Sequence, residues 1–273
     1  MPDLLAPFAH AVAAALAGTH HVLVSTGLAP DAGLTWVLAI AGLVLAVRLL
    51  LLPVAIHSVR LARASALARP HLTAVRERYR GRTDPASLRA QSEELRRVQA
   101  EHGVSRLGCL PVLLQLPVLF ALYHVLADVA AGRTLGALDA ALVASAGSAA
   151  VLGVHLADRA GALLTSPGHF VVVAALALCS AGLGYATQRW FVLPNTSLEG
   201  MPAQLADVQR LLPVLSAAGL LVAAASVPAG LLVYWVASNA VTLVQQAVVT
   251  TWFPTPGTEA HACREARLAA TAG

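Results

Sequence analysis

Apolar residues run almost unbroken from Leu34 to Ile56, LTWVLAIAGLVLAVRLLLLPVAI, where 22 of 23 residues are uncharged. At about 1.5 Å per residue, a helix of this length crosses a hydrocarbon core of roughly 30 Å. Similar runs at 107–127, 169–189, 211–227 and 229–251 predict four more spans. The pattern is that of an all-α polytopic membrane protein with five transmembrane helices. The one extended polar region, 57–106, is split by Gly81-Arg82-Thr83-Asp84-Pro85. Asp84 can cap a new helix with Pro85 at its first position, and His102-Gly103 can end it, so a helical hairpin with two arms is predicted. In residues 1–33 the apolar stretch Leu4–Gly18 is short for a span, and an interfacial helix on the outer face is expected. Crossing the membrane from the cytoplasm is the weaker alternative. Residues 128–168 read as an extracellular loop with a short helix, 190–210 as a cytoplasmic loop, and 252–273 as an unstructured cytoplasmic tail.

Charge orients these elements. All 18 basic residues are arginine. Eleven arginines against five acids lie in 57–106, and Arg189, Arg210, Arg264 and Arg267 fall on the same predicted side. Only Arg133 and Arg159 fall on the other, so the positive-inside rule places the N-terminus outside and the C-terminus in the cytoplasm of a cell membrane protein. Arginines beside a membrane attract anionic lipid headgroups, by on the order of 1 kcal/mol each. Tethering of the basic arms between two spans argues against specific nucleic-acid binding.

Composition excludes several chemistries. The chain is 58% hydrophobic and 12% charged, and it has no lysine, which removes both a Walker A phosphate loop and Schiff-base catalysis. Cys109, Cys179 and Cys263 show no disulfide or metal spacing, and no HExxH pattern occurs among ten histidines. No cofactor or metal is implied. Paired aspartates or a serine–histidine pair at matching depth, as an intramembrane protease needs, are also not found, so the chain reads as a non-enzyme.

Arg48 is the one charge inside the first span. A central arginine costs about 2.5–3.5 kcal/mol on insertion scales, and leucines return roughly 0.5 each, so the eight leucines here outweigh it. Snorkelling or pairing with an acid is one account. With a helix continuous to Ile56, Arg48 would sit about 12 Å from the nearer end, far for snorkelling. The fifth span carries Trp235, Asn239, Thr242 and Gln246 at steps of four, three and four, hence on one face. Arg48, Gln115 and Thr242 all fall roughly 12–14 Å from the predicted inner boundary. A hydrophilic groove in the inner half of the bilayer is expected, with packing by interhelical hydrogen bonds as the plainer alternative.

Gly108-Cys109-Leu110-Pro111, Gln115-Leu116-Pro117 and Phe120-Ala121-Leu122-Tyr123 resemble the second core helix of YidC-type membrane protein insertases. Pro228-Ala229-Gly230-Leu231-Leu232-Val233-Tyr234-Trp235 with Ser238-Asn239 and Gln245-Gln246 resembles their last core helix, and Val47-Arg48 with Pro53 matches the groove arginine. The order of parts is similar from residue 30 to about 256, in a short actinobacterial-like form. The resemblance implies an insertase whose groove opens to cytoplasm and lipid, with Arg48, Gln115 and Trp235 in it and no nucleotide requirement. It implies nascent membrane proteins as substrates and the Sec translocon and ribosomes as partners. The short, net-neutral tail departs from relatives with a basic ribosome-binding extension. A small-anion transporter or channel using Arg48 is the alternative function; it would need a path through the almost purely apolar outer half of these helices.

Overall fold

The computed structural model describes residues 6–104, 120–121, 123–158, 167–197 and 203–272. The protein is an all-α polytopic membrane protein. Among the described residues, five helices are long and apolar enough to cross a membrane: Ala6–Ser25, Gly33–Leu50, Pro167–Val192, Ala203–Ala224 and Ala229–Trp252. The span expected at 107–127 lies mostly outside the described residues; its end continues as a helix over 123–130, here α5. Contacts divide the chain into two compact units. One comprises Met1–Leu51, Val112–Thr187 and Pro213–Val244, the other Leu52–Pro111, Gln188–Leu212 and Gln245–Gly273.

In the first unit, α1 (Ala6–Ser25) and α2 (Gly33–Leu50) form an antiparallel pair. The apolar pattern runs on through Val22, Leu23 and Val24, so α1 extends seven residues past Gly18 and reaches spanning length. Its buried face is Ala9, Val12, Ala13, Leu16, Ala17 and His20, spaced by three and four. Alanines four apart let the neighbouring backbone come close. A Cβ on Gly42 of α2 would lie 3.1 Å from Thr19 Cγ2, and the Thr19 hydroxyl donates to the Ala39 carbonyl at 3.0 Å.

The outer-loop sequence forms helix α6 (Ala140–Ser148), capped by Asp139, whose carboxylate accepts from Leu142 N at 2.8 Å. A two-stranded hairpin follows, β1 (Ala150–Val151) against β2 (Val154–His155). Gly33 is needed beside it, since a Cβ there would stand 1.9 Å from the Ala150 carbonyl oxygen. Trp36 Nε1 donates to Ser145 Oγ at 3.0 Å, and both Ser145 Oγ and His20 Nε2 bond the Pro30 carbonyl at 3.0 Å. Helix α7 (Pro167–Ala186) ends in a π-helical turn, Thr187–Val192, where the Thr187 hydroxyl donates back to the Leu183 carbonyl at 2.7 Å.

Helix α8 spans Ala203–Ala224 and α9 spans Ala229–Trp252. The first amides of α9 have no partner within the helix. Two of them are satisfied by the segment that follows β2: Ala229 N donates to Asp158 O and Gly230 N to Leu156 O, both at 2.9 Å. Leu231, Leu232 and Val233 beyond them are buried among α2, α5 and α6 side chains of one apolar core.

In the second unit, α3 (Leu52–Arg78) and α4 (Pro85–Glu101) pack as antiparallel arms, tied by an Arg78–Glu94 ion pair and by His71 against His102. Asp84 caps α4 by accepting from Ser87 N at 2.8 Å. That bond holds the Asp84 carboxyl below its ordinary pKa. The helix expected to run unbroken over 34–56 is instead interrupted at Leu51. Pro53 is the cause: it has no N–H for the Leu49 carbonyl, and its ring crowds that carbonyl. Two further expectations are corrected. Residues 203–210, expected in a loop, form the first turns of α8, with Asp207 and Arg210 3.5 Å apart on its surface. The tail is not unstructured: Glu259–Ala272 is an alanine-rich helix, α10. It follows a turn fastened by Thr255 N to Asn195 Oδ1 at 2.7 Å and Ala260 N to the Pro194 carbonyl at 3.1 Å.

Candidate functional site: Arg48 and its hydroxyl partners

Because Pro53 stops α2 early, Arg48 sits in the last turn of the helix, two residues from its end, and not eight. The unpaired carbonyls of a helix C-terminus carry partial negative charge, which favours a cation there. The guanidinium reaches α9. Its Nη2 donates to Thr242 Oγ1 at 2.6 Å and lies 3.4 Å from Ser238 Oγ. Thr242 in turn donates its hydroxyl proton to the Ser238 carbonyl at 2.7 Å, which leaves its lone pairs facing the arginine. Hydrogen bonds to a charged group contribute about 1.5–3 kcal/mol, comparable to the insertion cost of the arginine.

Among the described residues no carboxylate forms an ion pair with Arg48; the ion pairs present lie in the hairpin, the outer loop, the start of α8 and α10. Both bonds use Nη2, whereas a guanidinium carries five N–H donors. Among the described residues the donors on Nε and Nη1 meet no acceptor. Arg48 is half-buried, so the described residues leave part of it uncovered. Among the described residues the arrangement is a cation held by neutral hydroxyls with donors to spare. Chemically it can attract a carboxylate, a phosphate or a bare backbone carbonyl.

The other residues singled out from the sequence are placed differently. Asn239 turns to α7, where its Nδ2 donates to Ser180 Oγ at 2.8 Å and to the Ser180 carbonyl at 3.3 Å, so its amide serves helix packing. Trp235 is half-buried and packs against the apolar core. Gln246 lies one turn past Thr242 on α9 and is half-buried. Gln115 lies outside the described residues. Ser238 is the site residue that face-counting alone left aside, although its position four before Thr242 was the available signal. A separate apolar pocket is lined by Leu16, Trp36, Ile40, Leu126, Pro228 and Leu231. Leu231 is eleven residues, about 16 Å of helix, from Thr242.

Comparison with known proteins places the chain in a family. The model of the 60Kd inner membrane protein family matches residues 27–256. A protein of Streptomyces avermitilis named membrane protein insertase YidC is 32% identical over 249 residues, covering 87% of this chain and 56% of that protein. Proteins of the same name from Tropheryma whipplei and Bifidobacterium longum are 29% and 28% identical, covering 98% and 91% of this chain and 90% and 75% of their own lengths. This chain thus spans just over half of the Streptomyces protein and most of the other two. With its apolar helices it is a multi-pass membrane protein, and it belongs to the family of 60Kd inner membrane proteins, the YidC-type insertases.

Proposed function

We propose that this chain is a membrane protein insertase. It takes hydrophobic segments of nascent proteins into the cell membrane through a hydrophilic groove centred on Arg48, without nucleotide hydrolysis. The observation that carries this reading is Arg48 itself: half-buried, bonded only to the Thr242 and Ser238 hydroxyls among the described residues, and unmatched by any carboxylate there. A permanently paired arginine would have nothing to offer a passing chain. One held by neutral hydroxyls keeps its charge available, and an acidic or backbone-rich segment can replace them transiently. Wetting part of the bilayer shortens the apolar path that a polar segment must cross. The membrane potential then favours outward movement of acidic residues, by roughly 2.3 kcal/mol per charge per 100 mV.

Apolar surface receives the hydrophobic part of the substrate in this reading. Leu211, Val214, Leu215 and Val222 of α8 are exposed and uncharged, suited to lipid and to an entering helix. Gln115, Trp235, Asn239 and Gln246 complete the proposed groove wall, with Asn239 acting through its tie to α7. The α3–α4 hairpin lies in the cytoplasm, and its arginines hold anionic headgroups. The Sec translocon and the ribosome are partners; ribosome contact falls to the hairpin, since α10 carries Arg264 and Arg267 against Glu259 and Glu265 and is net neutral.

The test is rescue of insertase depletion. The chain restores membrane insertion of a small substrate with an acidic translocated tail, Arg48→Ala fails, and Arg48→Lys retains part of the activity. An Arg48→Ala protein that accumulates normally and rescues fully would overturn the arginine-centred mechanism. Chloride or phosphate flux through purified protein in vesicles would instead favour a transporter.

A further inference from the structure

Two histidines away from Arg48 are arranged in a way that the insertion reading does not use. His71 on α3 and His102, which ends α4, face each other across the arms of the hairpin, with ring centroids 4.9 Å apart and planes inclined by 39°. His102 Nδ1 bonds the Val98 carbonyl at 2.9 Å. A carbonyl only accepts, so Nδ1 carries the proton and Nε2 keeps a bare lone pair. A backbone carbonyl holding one imidazole nitrogen in this way is how metal-ligating histidines are oriented.

The spacing points the same way. A metal–nitrogen bond of about 2.0–2.1 Å puts the metal roughly 3.2 Å from the centre of each imidazole ring. Two such ligands about 90–109° apart hold their ring centres about 4.5–5.2 Å apart. The observed 4.9 Å falls inside that window. We propose that His71 and His102 form a two-histidine site for a divalent transition metal of the Zn2+ or Ni2+ class, which pins the two arms of the hairpin together. Among the described residues no group of three or more metal-ligating side chains occurs, so water completes the coordination and the metal is exchangeable. The arms mix Arg69, Arg76, Arg78, Arg96 and Arg97 with Glu77, Glu93, Glu94 and Glu101, and so have no acidic excess to attract a free cation. Binding therefore depends on nitrogen lone pairs, which select zinc, nickel or copper over magnesium or calcium. A metal that bridges the closed arms and not the separated ones stabilises the closed hairpin by mass action.

The experiment uses the full chain in detergent, without a polyhistidine tag and stripped with EDTA, titrated with Zn2+ and Ni2+ by calorimetry. One equivalent binds, and Mg2+ gives no signal. His71→Ala and His102→Ala each weaken binding by at least about tenfold. His57→Ala, fourteen residues before His71 on α3, leaves it unchanged. His71→Gln and His102→Gln, which keep polar side chains, melt as the parent does in EDTA and lose only the metal-dependent rise in melting temperature. Absence of saturable binding overturns the proposal. So does binding that persists in the His71 and His102 variants, because the metal then sits on other histidines.

Discussion

From Ala229 to Tyr234, α9 is buried, whereas from Trp235 to Thr250 it is half-buried throughout, apart from exposed Val244. One helix therefore has two environments. In the first, the end of the helix is closed by loop carbonyls at Leu156 and Asp158, and Leu232 has no exposed surface. In the second lie Ser238, Asn239 and Thr242, and there Arg48 docks. The difference teaches where a membrane helix can keep polar groups. Burying a hydroxyl or an amide without partners costs a few kcal/mol, so such groups collect where packing is incomplete and partners are near. In this stretch Arg48 meets hydroxyls and, among the described residues, no carboxylate.

Breaking the closed end has the largest expected effect. Leu232→Ala leaves a cavity among fully packed neighbours and costs about 2–5 kcal/mol, read as a lowered melting temperature in detergent. A cost under 1 kcal/mol would show that this end is not close-packed. Thr242→Val tests the open end. It removes the stronger hydroxyl acceptor of Arg48, which in a dry site costs about 1.5–3 kcal/mol. Water is expected to take over, so the measured cost stays below about 1 kcal/mol, and a cysteine at 242 reacts with a water-soluble maleimide while one at 232 does not. A full dry-site penalty with an unreactive cysteine at 242 would erase the contrast between the two stretches.

The tie between α7 and α9 comes next. Ser180→Ala and Asn239→Ala each cost about 1 kcal/mol, and a double-mutant cycle returns a coupling of about 0.6 kcal/mol, the average for hydrogen bonds within membranes, and no more than about 1.7 kcal/mol. The smallest effect lies away from α9. Asp84 has a lowered folded pKa, because its carboxylate accepts from Ser87 N. Its contribution to α4 is present above the unfolded Asp value of about 3.9 and is lost as pH falls through the lower folded value. Acid therefore frays α4, seen as faster amide exchange at Ser87, and Asp84→Asn blunts that dependence.

Much of this was legible in the chain. Apart from α1, whose run was read as ending at Gly18, the apolar runs stand out at spanning length, and the caps at Asp84 and Asp139 follow from short-range chemistry that any sequence window contains. The break at Leu51 was legible too, because Pro53 acts on residues four before it, yet the strength of the surrounding apolar run hid it. The early start of α8 and the helical tail were hidden for the opposite reason. Polar residues and turn formers give weak local signals, and distant contacts at Asn195 and Pro194 fasten the turn that precedes α10. Asn239 shows the limit most clearly, since face-counting placed it with Thr242 although its amide bonds Ser180, 59 residues away.

By itself, the sequence determined that this is a membrane protein of apolar helices with a basic hairpin and one arginine in an apolar helix, because hydrophobicity, charge and caps act over a few residues. Only the tertiary structure decided which hydroxyls Arg48 meets, that Asn239 faces α7, and that two histidines meet across the hairpin. Those outcomes depend on which helices become neighbours and how each is rotated, and no single window of the chain contains both partners.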